Sequence, residues 1–254
     1  MSKPEVLLTI FIPTYKRCHT LHKAIKSILD KKWNINYEIF ICESGDSVTK
    51  YYLDGLKKKY KNVKYISQDK PTGTVSALND SLNHFRGKYF IIMCDDCIIS
   101  NQVRIGELIF EMMKDDVSIY GITEYIPLYD QKNTTHFWRY KDIYVKNFNI
   151  FDTKRLIEHG GVDKKLRFWG LTTDIVYGLL LDGYTMRNCN DVVLEHHLKD
   201  GLDISSYKMF HRKSGREFIS KEMNYIYQKY IKITRKYPPV GKQTVMINME
   251  VEKK

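Results

Sequence analysis

The sequence predicts an α/β protein: a Rossmann-like, mostly parallel central sheet flanked by helices, with a helical extension at the C-terminus. Three observations predict it. Short apolar runs alternate with amphipathic stretches through about the first hundred residues. One of these runs, in Tyr89 to Cys97 (YFIIMCDDC), stops abruptly at two adjacent carboxylates, Asp95 and Asp96. A late stretch, Ser214 to Lys236, places Phe218, Met223, Ile226, Tyr230 and Ile233 on one helical face. Open α/β sheets bind ligands in the crevice beyond the carboxyl ends of their strands, and two acids at such an end suggest a metal.

Val6 to Ile12 reads as a central strand ended by Pro13 and the loop IPTYKR. Leu21, Ala24, Ile25, Ile28 and Leu29 then recur at helical spacing. Tyr37 to Cys42 is a second strand, closed by the polar turn Glu43-Ser44-Gly45-Asp46, and a helix from about Val48 to Tyr60 leads to a third, Val63 to Ser67. After a loop holding Pro71 and Gly73, a helix turns Val75, Leu78, Leu82 and Phe85 inward and Gly87 ends it. Neither G-x-G-x-x-G nor G-x-x-x-x-G-K-[ST] follows the first strand, which argues against dinucleotide and P-loop sites. A metal ion on Asp95 and Asp96 is the natural substitute for holding phosphate.

Asn101 to Asp115 fits another helix, through Val103, Ile105, Leu108, Ile109 and Met112. Ile119 to Phe151 mixes strand and loop signals and is rich in aromatics (Tyr120, Tyr125, Tyr129, Phe137, Trp138, Tyr140, Tyr144), which suit either an acceptor groove or ordinary packing. In Ile157 to Tyr184 a Gly-Gly turn and an aromatic loop precede an apolar helix with Thr173-Asp174 in its first turn, where the macrodipole stabilises a carboxylate; a plain helix cap is the bland alternative. Asp191 to Leu194 reads as a strand ending in Glu195-His196-His197. The C-terminal helix is amphipathic and basic, suited to packing on its own domain or to docking on a membrane or partner.

At 254 residues the chain suits one large α/β domain with an appendage. A net charge of +11 favours partners carrying phosphate, whether nucleic acid, nucleotide or anionic membrane. Five scattered cysteines do not form a disulfide framework and imply a reducing compartment. The apolar N-terminal stretch is too short to span a bilayer and has no leader-like pattern, so a cytoplasmic, unexported protein is expected.

Taken in order, these motifs resemble the inverting nucleotide-sugar glycosyltransferases of the GT-A fold, the large family two group, from Val6 to about Ser205. LLTIFIPTYKR resembles the opening strand and loop, which implies nucleotide contacts at Pro13, Thr14, Tyr15 and Arg17. EIFICESGD resembles the second-strand motif whose acid contacts the base, here Glu43 where aspartate is usual; Gly73 and Asn79 match further nucleotide-side positions. GKYFIIMCDDC is similar to the metal motif, with Cys94 in place of its first acid. The resemblance implies Asp95 on the ribose and Asp96 on Mn²⁺ or Mg²⁺. GGVDKKLRFWGLTTD is similar to the acceptor-loop motif; it implies Trp169, Gly170 and Thr173 near the acceptor and Asp174 as general base, with Thr173 where glutamate is usual. VVLEHHLKDG resembles the late strand whose histidine, His196 or His197 with His196 preferred, completes metal coordination or touches the diphosphate.

The implied division is residues 1–205 as the GT-A domain (1–100 nucleotide-binding, 101–205 acceptor-binding) and 206–254 as a basic helical extension with a polar tail. The implied activity is metal-dependent, inverting transfer of a sugar from a nucleotide-diphosphate donor, with a UDP-sugar favoured, to a glycan or lipid-linked acceptor. The C-terminal basic helix is a candidate peripheral contact on the cytosolic membrane face. The rival readings are a GT-A-like protein that binds nucleotide sugars or glycans without turnover, and a nucleic-acid binder, for which no recognised motif is present. Cys94-x-x-Cys97 as a redox or zinc pair is set aside, because two acids separate the thiols and no second such pair exists.

Overall fold

The structure, a computed structural model, describes residues 5–127, 131–132, 138–141, 143–197 and 213–237. The first four strands, β1 (Leu8–Thr14), β2 (Tyr37–Ser44), β3 (Val63–Gln68) and β4 (Tyr89–Ile92), alternate with helices α1 (Cys18–Leu29), α2 (Ser47–Lys59) and α3 (Thr74–Leu82). They pair in parallel in the order β3-β2-β1-β4, the arrangement that strand–helix–strand crossovers produce.

The second half departs from the expected parallel pattern. β5 (Cys97–Ile99) and α4 (Gln102–Asp115) precede β6 (Ile119–Ile126), the short β7 to β9 (Gln131–Lys132, Arg139–Tyr140, Ile143–Tyr144) and β10 (Phe148–Asp152). α5 (Thr153–His159), α6 (Leu171–Leu181), β11 (Met186–His196), α7 (Lys213–Lys229) and α8 (Ile231–Lys236) complete the described chain. β10 inserts antiparallel between β4 and β6, β11 lies parallel to β6, and β5 closes the edge antiparallel to β11. The sheet is therefore mixed.

Strand alternation builds two cores. Ile10, Ile12, Ile39, Ile41 and Ile91 face α1 and α4, whereas Phe11, Phe40 and Phe90 face α3, α6 and α7. The second layer contains Ile219, Met223, Ile226 and Tyr230 of α7, so the apolar face of the C-terminal helix is buried against its own domain. Of the two expectations for this helix, packing on its own domain accounts for its apolar face. α7 and α8 meet at Tyr230, whose backbone leaves the helical region, so the expected single helix is two. Among the described residues no helix is long and apolar enough to cross a membrane.

Pro13 does not end β1 as expected: the ladder to β2 continues to Thr14. β4 has by then stopped at Ile92, so β1 has no β4 partner at Pro13 and the missing N–H costs no ladder bond there. Of the aromatic stretch, Trp138 is buried edge-on to Tyr177 and the Tyr120 hydroxyl donates to Glu111, which is packing; Tyr129 and Phe137 lie outside the described residues.

Gly87 permits a close backbone approach beside the start of β1, where its N–H donates to Thr9 Oγ1. A Cβ there would lie 2.3 Å from the Thr9 nitrogen and 2.6 Å from the Leu8 carbonyl carbon, both rigid backbone. Gly87→Ala is expected to destabilise the protein by about 3 kcal/mol or more, read as a lowered urea midpoint; an unchanged midpoint would contradict the close packing.

Candidate active site

The carboxyl ends of β1 and β4 bring the site together. Thr14 ends β1, and the following loop turns at Lys16, whose φ is 54°, so that Arg17 reaches back over the sheet. After β4, Met93 N–H still donates to Phe11 carbonyl, and the chain then folds into a turn in which Cys97 N–H donates to Cys94 carbonyl at 3.1 Å. This turn presents Asp95 and Asp96. Its exit strand β5 pairs with β11 so that Cys97 lies opposite His196.

Arg17 straddles the two acids, at 2.8 Å from Asp95 Oδ1 and 2.7 Å from Asp96 Oδ2. Thr14 Oγ1 donates to Asp95 Oδ2 at 2.7 Å. Asp96 Oδ1 is buried and accepts no hydrogen bond from a described residue, yet His196 Nε2 lies 3.3 Å away. The other ring nitrogen, Nδ1, sits 2.8 Å from Glu124 Oε2. His197 instead pairs its ring with Glu195 and gives its backbone N–H to the Asp96 carbonyl.

The two acids are pushed in opposite directions. Burial raises the Asp95 carboxyl to about 6 against the pull of Arg17. Burial would also raise Asp96, but His196 and Arg17 outweigh it and hold that carboxyl at about 2. Burial lowers His196, yet Asp96 and Glu124 on its two nitrogens drive it well above its ordinary value. A cation bound here would supply positive charge to both Asp96 and Glu124. The residues fit a divalent ion: one buried carboxylate oxygen with no hydrogen-bond donor in good geometry, one imidazole nitrogen 3.3 Å from it, and a second carboxylate fixing the ring, the usual arrangement behind metal-ligating histidines.

Glu124 is a site residue that the sequence reading missed. Its other oxygen accepts from Asn147 Nδ2 at 2.9 Å, and the Asn147 carbonyl accepts from Thr172 Oγ1 at 3.2 Å. The chain Asp96, His196, Glu124, Asn147, Thr172 thus links the acids to the first turn of α6. A signal was available, since an acid inside an apolar strand is out of pattern and needs a partner.

Asp174, two residues beyond Thr172, stands about 200° around the helix from it. It is 1 % exposed. Its Oδ2 accepts from the Asp163 N–H at 2.9 Å, and its Oδ1 receives Lys229 Nζ at 2.6 Å and Tyr230 hydroxyl at 2.8 Å. Asp174 is therefore in the grip of α7 and the α7–α8 junction, and is no simple helix cap: the N-cap of α6 is Gly170, with φ of 76°. A Cβ on Gly170 would meet Ile226 of α7 at 2.6 Å, so this position serves the docking of α7. Thr173 is buried, and Trp169 gives its N–H to Glu222 of α7 at 2.6 Å.

Other expected nucleotide contacts are engaged elsewhere in this structure. Asn79 pairs its amide both ways with the backbone of Val162, each bond 2.9 Å, and so fixes the Gly-Gly loop. Gly73 caps α3 hard against the Arg167 carbonyl. Glu43 is buried and accepts the Asp46 N–H within its own turn. Pro13 and Tyr15 are half-buried.

Asp163 also anchors α7, through Tyr225 hydroxyl at 2.6 Å and Lys229 at 3.0 Å. Burial would raise its carboxyl, but Tyr225, the Lys165 N–H and Lys229 hold it at about 2, below its ordinary 3.8. The folded state thus gains stability above pH ~3.8 that is lost as pH falls through about 2. The Tm gap between wild type and Asp163→Asn is expected to close over that window; a gap independent of pH would contradict the anchoring charge.

A mixed sheet whose parallel half ends in paired acids, closed by a histidine-bearing strand, defines a GT-A glycosyltransferase fold. The chain belongs to glycosyl transferase family 2, whose family model matches residues 9–164. It is 27% identical over 124 residues to the Escherichia coli UDP-Glc:alpha-D-GlcNAc-diphosphoundecaprenol beta-1,3-glucosyltransferase WfgD, covering 48% of this chain and 47% of that protein. It is 30% identical over 93 residues to an uncharacterized glycosyltransferase of Haemophilus influenzae, covering 36% of this chain and 28% of that one. The chain thus spans less than half the length of either relative. Among solved structures, the mannosyltransferase PcManGT of Pyrobaculum calidifontis, in complex with GDP-Man and Mn²⁺, superposes with a TM-score of 0.65 at 13% identity, over 91% of this chain and 66% of that one. S. aureus TarS 1-349 in complex with UDP superposes at 0.62 and 11% identity, over 88% and 72%. At such identities these likenesses show the fold.

Proposed function

We propose that the protein transfers a sugar from a nucleoside diphosphate donor to an acceptor hydroxyl with inversion, assisted by Mn²⁺ or Mg²⁺. The observation that carries this reading is the buried Asp96 Oδ1, whose one close polar neighbour among the described residues is His196 Nε2 at 3.3 Å, with Glu124 behind the ring. Asp96 and His196 would hold the ion, which when bound neutralises the leaving diphosphate as a Lewis acid. Asp95, steadied by Thr14, would accept from the ribose, and Arg17 would exchange its grip on the two acids for the diphosphate, which its planar fork matches well. A single displacement by the acceptor oxygen inverts the anomeric carbon.

The acceptor must lose a proton as it attacks. Asp174 serves as the base only in a conformation in which α7 has withdrawn Lys229 and Tyr230; in the conformation described it anchors that helix. A UDP-sugar donor is supported by the UDP complex of a fold neighbour and the UDP-Glc in the E. coli relative's name, and a lipid-linked saccharide acceptor by that same name. A second reading, nucleotide-sugar binding without turnover, is favoured by the occupation of Asp174. Release of nucleoside diphosphate from UDP-, GDP- and dTDP-sugars with Mn²⁺, offered a lipid-linked or free glycan acceptor, separates the two. Release that chelation abolishes supports transfer, whereas binding of a donor with no release supports the second reading.

A further inference from the structure

The turn that presents the acids also brings two thiols to them. One donor atom from each of Cys94, Asp96, Cys97 and His196 lies within 4.8 Å of every other. Two features of the backbone produce this. The antiparallel register sets Cys97 directly opposite His196, so their side chains share a face of the sheet. The Cys97 N–H to Cys94 carbonyl bond then folds the four-residue turn back on itself, bringing the first thiol to the second. The remaining cysteines, Cys18, Cys42 and Cys189, are not in the cluster.

We propose that this cluster is a site for a thiophilic divalent cation, zinc above all, held by the thiolates of Cys94 and Cys97 together with His196 Nε2 and an Asp96 oxygen. The proposal rests on the reading of Asp96 and His196 as the metal centre and adds two ligands that change its character; it reverses the expectation that set the Cys94–Cys97 pair aside, because His196 and Asp96 supply the two ligands that a second thiol pair would otherwise provide. Zinc bonds of about 2.0–2.3 Å place tetrahedral donors roughly 3.3–3.8 Å apart, so four donors already within 4.8 Å close around the ion with a shift of about 1 Å. Mn²⁺ and Mg²⁺ favour oxygen donors, and thiolates favour zinc over both. Binding displaces the two S–H protons and the proton on His196 Nε2 to solvent, and forms two zinc–sulfur bonds and one zinc–nitrogen bond with no change of oxidation state. A centre with four protein ligands has no open position for a diphosphate, as in structural zinc sites. The zinc form is therefore closed to the donor, and zinc competes with the catalytic ion.

The test uses the full chain, reduced and metal-free, titrated with Co²⁺ as a spectroscopic stand-in for zinc and with Mn²⁺ followed by electron paramagnetic resonance. Cys97 is fully buried, so the half-buried Cys94 is the first site to vary, as Cys94→Ser, with Cys97→Ser second and circular dichroism as the check on folding. The expected result is one Co²⁺ per chain with a thiolate-to-cobalt charge-transfer band that zinc bleaches. Cys94→Ser is expected to lose about half the band and to weaken zinc binding at least tenfold, with Mn²⁺ affinity within threefold of wild type. Co²⁺ binding without a charge-transfer band, or zinc affinity unmoved by Cys94→Ser, would overturn the thiolate ligation and leave the Asp96–His196 reading in place. Failure of Co²⁺, Zn²⁺ and Mn²⁺ alike to bind would overturn both.

Discussion

Asp96→Ala is expected to lower Mn²⁺-dependent sugar transfer on the order of a thousandfold, equivalent to about 4 kcal/mol of transition-state stabilisation. The size follows from what Asp96 does at once. It offers the buried oxygen beside His196, it accepts one arm of Arg17, and its backbone carbonyl receives the His197 N–H. Only the last contact survives the substitution. The loss should fall on kcat and on metal affinity together. Glu124→Gln, which leaves Asp96 intact and removes the charge behind the ring, is expected to weaken the metal by about 10–100-fold, the usual effect of a group that orients a metal-bound histidine. A steady-state comparison of the two variants over a range of Mn²⁺ concentrations checks the account: excess Mn²⁺ restores Glu124→Gln but not Asp96→Ala. Restoration of both would show that Asp96 does not hold the ion.

Asp174→Asn is the second large effect, and it should appear in stability as well as in rate. The carboxylate satisfies an N–H, a hydroxyl and an ammonium group, of which Lys229 retains Asp163 as a second partner. The expected cost is about 2–4 kcal/mol, a fall in Tm on the order of 10 °C for a chain of this size. Lys229→Met removes one of the bonds that hold the carboxylate while leaving the carboxylate itself in place. If Asp174 takes the acceptor proton once α7 withdraws, both variants lose stability, but only Asp174→Asn loses transfer while still binding donor. Transfer at near wild-type rate in a folded Asp174→Asn would leave the residue as an anchor of α7 alone.

The first half of the fold was legible because each element there follows a local rule. Val63 to Ser67 and the helix after Gly73 announce themselves by period and punctuation, and the observed bounds, Val63–Gln68 and Thr74–Leu82, differ by a few residues. The second half was not, for reasons of topology. β10 reads as an aromatic, apolar run, and nothing in Phe148–Asp152 tells that it inserts antiparallel between β4 and β6. β5 is three residues long, too short for a periodic signal, yet it is the strand that sets Cys97 opposite His196.

The site divides in the same way. Asp95, Asp96 and Arg17 sit in readable motifs, and the structure brings them within hydrogen-bonding distance. Asn79 was assigned from a motif position, but its bonds to Val162 depend on a loop more than eighty residues away. Asp174 was legible as an acid in the first turn of a helix; that its face is covered by Lys229 and Tyr230 depends on how α7 docks, which helical period alone does not encode.

The central claim is that Asp96 and His196 hold a divalent ion beneath a nucleoside diphosphate. Equilibrium unfolding of the full chain with UDP, GDP or dTDP, with Mn²⁺ or with chelator, tests it most directly. A nucleotide present at a hundred times its Kd should add about 2.7 kcal/mol, only when Mn²⁺ is present and not in Asp96→Ala. No added stability with any of the three nucleotides, or the same gain in the presence of chelator, would contradict it.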